Sequence, residues 1–112
     1  MPISDYYKIK YVILKTLFDN KEQGRKTPRE MIGSERFKIP ESYWLDVLSD
    51  LSDDTLIKGL KIRQCKDTRV LCGLDNIEIT GTGIDYLHDN SKMKQVYDLF
   101  KDLKDIFPLI LR

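Results

Sequence analysis

The sequence predicts a mainly-α domain with a small β-hairpin (α+β), and three observations carry that expectation. Apolar residues recur at helical spacing in the segments before residue 52. From Leu60 to Cys65 the pattern changes to alternation, with Leu60, Ile62 and Gln64 on one side and Lys61, Arg63 and Cys65 on the other. Helical spacing returns between Ile84 and Phe107. Three helices followed by a hairpin is the order of a winged helix-turn-helix, here with an added C-terminal amphipathic helix. A chain of 112 residues holds one modest core and not two. Residues 1–112 are therefore expected to form a single winged-helix domain, with the helix-turn-helix core and wing in 1–79 and the C-terminal helices in 80–112.

The first helix is expected from Ser4, its N-cap, to Asp19. Two apolar stripes, one of Tyr6, Ile9, Ile13 and Leu17 and one of Tyr7, Tyr11, Leu14 and Phe18, should bury it on more than one side. A polar loop from Asn20 to Lys26, containing Gly24, follows. Thr27, Pro28 and Glu30 then read as the cap, first turn and capping-box partner of a short second helix. Gly33 is its expected stop, with Ser34, Glu35 and Arg36 as the polar turn. After the extended Ile39-Pro40 step, a third helix runs through Leu51 with Trp44, Val47, Leu48 and Leu51 on one face. Lys66, Asp67 and Thr68 are the expected hairpin turn, and the second β-rich run, Val70 to Ile79, is interrupted at Gly73 and Asp75-Asn76. Thr80 or Thr82 caps a fourth helix carrying Ile84 and Leu87 and ending near Asn90. Ser91 caps a fifth, closed by Pro108.

The run Ile79-Thr80-Gly81-Thr82-Gly83-Ile84-Asp85-Tyr86-Leu87-His88-Asp89-Asn90-Ser91-Lys92-Met93 resembles the YjcQ-like family of small bacterial and phage proteins. The corresponding stretch of that family has a Thr, a Gly three residues on, a Tyr-Leu pair, then Asn-Ser and Met. The resemblance extends upstream through Leu56-Ile57-Lys58-Gly59 and covers the first and last helices, hence nearly the whole chain. Thr-x-x-Gly-x-x-Tyr-Leu recurs in many winged-helix regulators and supports the fold, while Asn-Ser-x-Met narrows the match to the family. Gly81-Thr82 departs from it, since a longer polar or basic residue often precedes the glycine. The resemblance implies a winged-helix fold and a bacterial or prophage origin, and it carries no assigned activity.

Composition excludes several classes. Hydrophobic residues at 41% and charged residues at 33% describe an ordinary globular chain, not a disordered one. The longest apolar stretches, Tyr11–Leu14 and Phe107–Leu111, fall far short of the roughly 20 residues of a membrane span. Asp5, Lys8 and Lys10 interrupt any apolar secretory signal, so the cytoplasm is the expected location. Cys65, Cys72 and His88 are too few for a disulfide scaffold or a self-contained zinc site, so no metal or cofactor is expected and both thiols should be reduced. Cys65 and Cys72 could approach each other across the hairpin, depending on register. Gly81-x-Gly83 lacks the remaining residues of a dinucleotide or phosphate loop and reads as close packing at a helix start. His88 beside Asp85 and Asp89 lacks a nucleophile motif and reads as a surface residue at a helix C-terminus. The chain is expected not to be an enzyme.

The net charge of +1 conceals an alternation. Residues 21–38 hold six cations against three carboxylates; residues 39–57 hold five carboxylates and no cation; residues 58–69 hold five cations against Asp67. The third helix should expose Ser42, Asp46, Ser49 and Asp53, with Asp50 at the margin, an acidic face that a polyanion repels. The wing offers Lys58, Lys61, Arg63, Lys66 and Arg69, flanked by Arg29, Arg36 and Lys38. Two readings of these cations stand: phosphate contact, and the Lys and Arg that exposed strands carry against edge pairing. The last helix presents Met93, Val96, Tyr97, Phe100, Leu103 and Phe107, widened by Leu99 and Ile106, which together with the doubly apolar first helix points to a homodimer interface. The expected function is a dimeric winged-helix DNA-binding protein, a bacterial or prophage transcription regulator. It would contact double-stranded DNA through Arg36, Lys38, Lys58, Lys61, Arg63, Lys66 and Arg69. The alternative is a protein-interaction module using the acidic third helix or the last helix.

Overall fold

Helix α1 (Asp5–Glu22) is the element around which the others pack. The computed structural model describes residues 5–72 and 76–102. Both apolar stripes of α1 are used: Ile9, Tyr11, Val12, Ile13, Leu14 and Leu17 are buried, and Tyr6, Tyr7 and Phe18 pack at the edge of the same cluster. Lys10 is buried too, its Nζ lying 5.1, 5.8 and 5.0 Å from the ring centroids of Tyr6, Tyr7 and Tyr86. A cation in contact with aromatic faces keeps part of the electrostatic stabilisation that water would supply. The helix runs past the expected end at Asp19 because its terminus closes in a Schellman turn. The Gly24 N–H donates to the Lys21 carbonyl, the Arg25 N–H donates to the Asn20 carbonyl, and Gly24 takes the left-handed φ of 69° that the motif requires.

Helix α2 (Arg29–Ile32) starts after Pro28, without a side-chain cap. Thr27 does not cap it, contrary to expectation, because the threonine is buried and its hydroxyl accepts from Asn20 Nδ2 at 2.8 Å. The polar turn expected at Ser34 is a second short helix, α3 (Ser34–Phe37), which ends at Lys38 in a left-handed conformation. Helix α4 (Glu41–Asp53), the third helix of the sequence reading, buries Trp44, Leu45, Val47, Leu48 and Leu51. Each such side chain contributes roughly 1.5–3 kcal/mol on leaving water. Trp44 fixes α2 against α4: its indole N–H donates to the Ile32 carbonyl at 2.7 Å, and the Arg29 guanidinium lies 4.8 Å above its ring. Glu41, in the first turn of α4, accepts from Ser34 Oγ at 2.7 Å and pairs with Arg29 at 3.2 Å.

The hairpin consists of two antiparallel ladders. Strand β1 (Ile57–Lys58) pairs with β4 (Glu78–Ile79) at its base, and β2 (Lys61–Cys65) pairs with β3 (Thr68–Cys72) beyond it. The turn is Lys66-Asp67, with Lys66 at φ 51°, and Thr68 already belongs to β3. Helix α5 (Gly81–Asp89) is capped by Thr80, whose Oγ1 accepts from the Gly83 N–H at 2.9 Å and donates to the Thr55 carbonyl at 2.6 Å. A side chain at Gly83 would overlap the Leu56 carbonyl, so the glycine permits close packing of α5 on the segment after α4. Helix α6 (Ser91–Asp102) is capped by Asn90 and not by Ser91: Asn90 Oδ1 accepts from the N–H groups of Lys92 and Met93. Ser4, Gly73, Asp75, Leu103, Ile106, Phe107 and Pro108, each given a role above, lie outside the described residues. The mainly-α class with a small β-hairpin is the class observed. No helix among the described residues is long and apolar enough to cross a membrane.

Candidate nucleic-acid interface

The register of β2 and β3 sorts the hairpin side chains by face, because residues directly opposite share a face and neighbours alternate. Ile62 is opposite Leu71 and Gln64 opposite Arg69. Ile62 and Leu71 pack on the core, so this face turns inward. Arg63 is opposite Val70, and Cys65 opposite Thr68. Lys61, Arg63, Cys65, Thr68 and Val70 are exposed, so the other face turns outward. Lys66 is exposed at the tip, and Lys58 is exposed at the base opposite Glu78. No carboxylate of the described residues forms an ion pair with Lys58, Lys61, Arg63 or Lys66.

Arg69 belongs to the inward face and is committed elsewhere. Its Nη2 lies 2.9 Å from Asp46 Oδ1 and donates to the Ser42 carbonyl at 3.1 Å, tying β3 to the face of α4 that should have faced solvent. Asp50 of the same face accepts from the Tyr6 hydroxyl at 2.5 Å. Burial, reinforced by this bond to Asp50, holds the Tyr6 phenol neutral well above the usual tyrosine range. Ser42, Asp46, Asp50 and Asp53 are exposed and Ser49 is half-buried, so the acidic face of α4 is placed as expected and two of its carboxylates are engaged. Arg36 is half-buried and Lys38 exposed, both on α3 and its cap beside α4. Arg29, bonded to Glu35 and Glu41 and stacked on Trp44, is structural.

Two expectations are corrected by position. Met93, Val96 and Phe100, assigned above to a dimer interface, are buried in the core of this same chain, Phe100 meeting Tyr11 edge-to-face at 5.8 Å. They pack on α1 and present no surface to a second copy. Of the remaining residues of that set, Tyr97 is 46% exposed, and Leu103 and Phe107 lie outside the described residues. The two cysteines do not approach each other, because the register pairs Cys65 with Thr68 at the tip and Cys72 with Lys61 at the far end of the ladder. His88 is exposed, with Nδ1 3.0 Å from the Ile84 carbonyl and its ring edge-on to Phe18, as a surface histidine near a helix C-terminus would be.

Sequence reasoning missed the inward commitment of Arg69, which depends on strand register, and the bonding of Asn20, which joins Thr27 to Arg25. Gly24 placed for a helix C-cap was the available signal for the second.

No curated protein and no solved structure matches the chain. The family model described as YjcQ protein matches residues 11–106, the greater part of the sequence. The chain belongs to the YjcQ family.

Proposed function

We propose that the chain is a winged-helix protein that binds duplex DNA through the outward face of its hairpin, in the service of bacterial or prophage transcription, and that its role is binding and not catalysis. The observation that carries this reading is the division of charge across the hairpin. Lys61, Arg63 and Lys66 stand exposed with no acidic partner among the described residues, while Arg69 is turned inward onto Asp46. Exposed cations on a narrow two-stranded ribbon can follow a phosphate backbone. The order of helices and hairpin supports the reading by analogy of fold. Carboxylates along α4 disfavour insertion of that helix into a major groove, so the contact proposed is wing-led and weak in sequence preference.

Fluorescence anisotropy of a mixed-sequence duplex tests it. Binding should weaken as salt rises and disappear in a Lys61→Glu, Arg63→Glu variant; absence of binding at low salt would sink the proposal. A protein partner is the second reading, favoured by Asp53 and Asp54, which are exposed at the end of α4 and form no ion pair among the described residues. Failure of duplex binding would direct attention there.

A further inference from the structure

A cavity of about 270 Å³ lies between the end of α1, the turn that follows it, and β4, away from the outward face of the wing. Leu17 and Ile77, both buried, form its apolar part. Lys21, Arg25 and Lys26 supply three cations on its lining, and Glu78, 3.8 Å from Lys21, is the one carboxylate among the lining residues. The lining is therefore net positive by two charges.

Arg25 and Thr27, both on the lining, are held in place by a buried residue outside it. Asn20, 2% exposed, accepts from Arg25 Nη2 at 3.2 Å through its Oδ1 and donates from its Nδ2 to Thr27 Oγ1 at 2.8 Å. The Schellman turn usually joins these two positions, Asn20 and Arg25, by an apolar contact, and here a polar bond replaces it. Thr27 is 5% exposed, and since its oxygen accepts from Asn20, its own proton is left for donation. An oriented guanidinium, a buried hydroxyl donor and two ammonium groups surround the small cavity, and with Glu78 included its lining carries a net charge of +2. A phosphate monoester brings about −1.5 to −2 charge and a backbone diester about −1, and each presents several acceptor oxygens. The volume, just below the roughly 300–1,000 Å³ usual for ligand sites, admits a phosphate together with part of a small group that carries it.

We infer that this cavity binds a phosphate-class oxyanion, with Lys21, Arg25, Lys26 and Thr27 as its donors and Asn20 as the positioning residue. The phosphate belongs either to a small phosphorylated molecule or to a nucleic-acid backbone, and the chemistry of the cavity is common to both.

The test is a heteronuclear NMR titration of the full chain with inorganic phosphate, against sodium chloride at equal ionic strength. Saturable shifts of the amides of Gly24 to Thr27 and of Ile77 and Glu78 are expected with phosphate and not with chloride. Arg25→Gln combined with Lys26→Gln should weaken binding at least about tenfold, and Glu78→Gln, which removes the opposing carboxylate, should strengthen it several-fold. Both variants alter exposed side chains, so each should retain the wild-type spectrum elsewhere. Equal shifts with chloride, an unweakened Arg25→Gln, Lys26→Gln chain, or an unchanged affinity in Glu78→Gln would overturn the inference. To identify the source, a short duplex without terminal phosphates is added to the phosphate-loaded wild-type chain. Displacement of phosphate from the cavity assigns the site to a nucleic-acid backbone; retention assigns it to a small phosphorylated molecule.

Discussion

Replacing Asp46 with asparagine should strengthen duplex binding while leaving the fold nearly as stable as before. The Arg69–Asp46 pair is 2.9 Å long, but its side chains are 31% and 61% exposed. Solvent screens such a pair, and its loss costs about 0–1 kcal/mol. Arg69 keeps its bond to the Ser42 carbonyl, so the guanidinium stays beside the hairpin with its charge no longer compensated. One additional cation in full contact with phosphate steepens the salt dependence by about 0.9 in log–log slope. At roughly 0.1 M salt that corresponds to about an eightfold gain in affinity. An uncompensated charge one strand layer away, within a Debye length of about 10 Å, gives a smaller gain of about twofold. Anisotropy titrations of the Asp46→Asn chain and the wild type across a range of salt concentrations measure both quantities. An unchanged or weaker affinity, in a chain whose circular dichroism and denaturation midpoint match the wild type, would refute the argument that hairpin charge controls binding.

Trp44→Phe should lower stability by about 2–4 kcal/mol, since it strands the buried Ile32 carbonyl and leaves space beside α2; urea denaturation would show a lower midpoint with an unchanged slope. Gly83→Ala should cost about 1–3 kcal/mol through overlap with the Leu56 carbonyl, whereas Gly81→Ala, with open space around it, should be neutral or stabilising by about 0.4–1 kcal/mol, as paired thermal melts would show. Burial pushes the Tyr11 phenol from 10.0 up to about 12. A raised value in the folded chain favours the neutral phenol, so its contribution to stability is complete below the unfolded value and is lost as pH rises through the folded one. Denaturation midpoints should therefore fall between pH 10.0 and about 12, and fall less in Tyr11→Phe.

Much of the scaffold was legible because periodicity records burial directly. Trp44, Val47, Leu48 and Leu51 repeat at helical spacing and form the buried face of α4, and the two stripes of α1 are the two sides on which it is covered. Local capping was harder to read, because side chains with the right chemistry compete for the same backbone groups. Thr27 has a capping residue's identity, yet tertiary contact with Asn20 takes its hydroxyl; Asn90 takes the cap position that Ser91 could have filled. The helical spacing of Met93, Val96 and Phe100 was visible in the sequence, but that these side chains are covered by α1 of the same chain is decided by packing, which no spacing rule reports. At the candidate interface the residue types were visible and their sorting was not. Lys61, Arg63 and Arg69 are alike in sequence, and only the pairing of Gln64 with Arg69 and of Arg63 with Val70 turns one cation inward and another outward. The anion cavity draws on residues more than fifty positions apart, Arg25 and Glu78, and the sequence held only the Schellman glycine as a sign of it.

The most direct test of the central proposal is an NMR titration of the full chain with a short mixed-sequence duplex at low salt. The account predicts that shifts and broadening concentrate on the amides of Lys61 to Val70, along β2, the turn and β3, and decline along α4 from Asp46 to Asp53. Shifts centred on α4, or none at all, would contradict it.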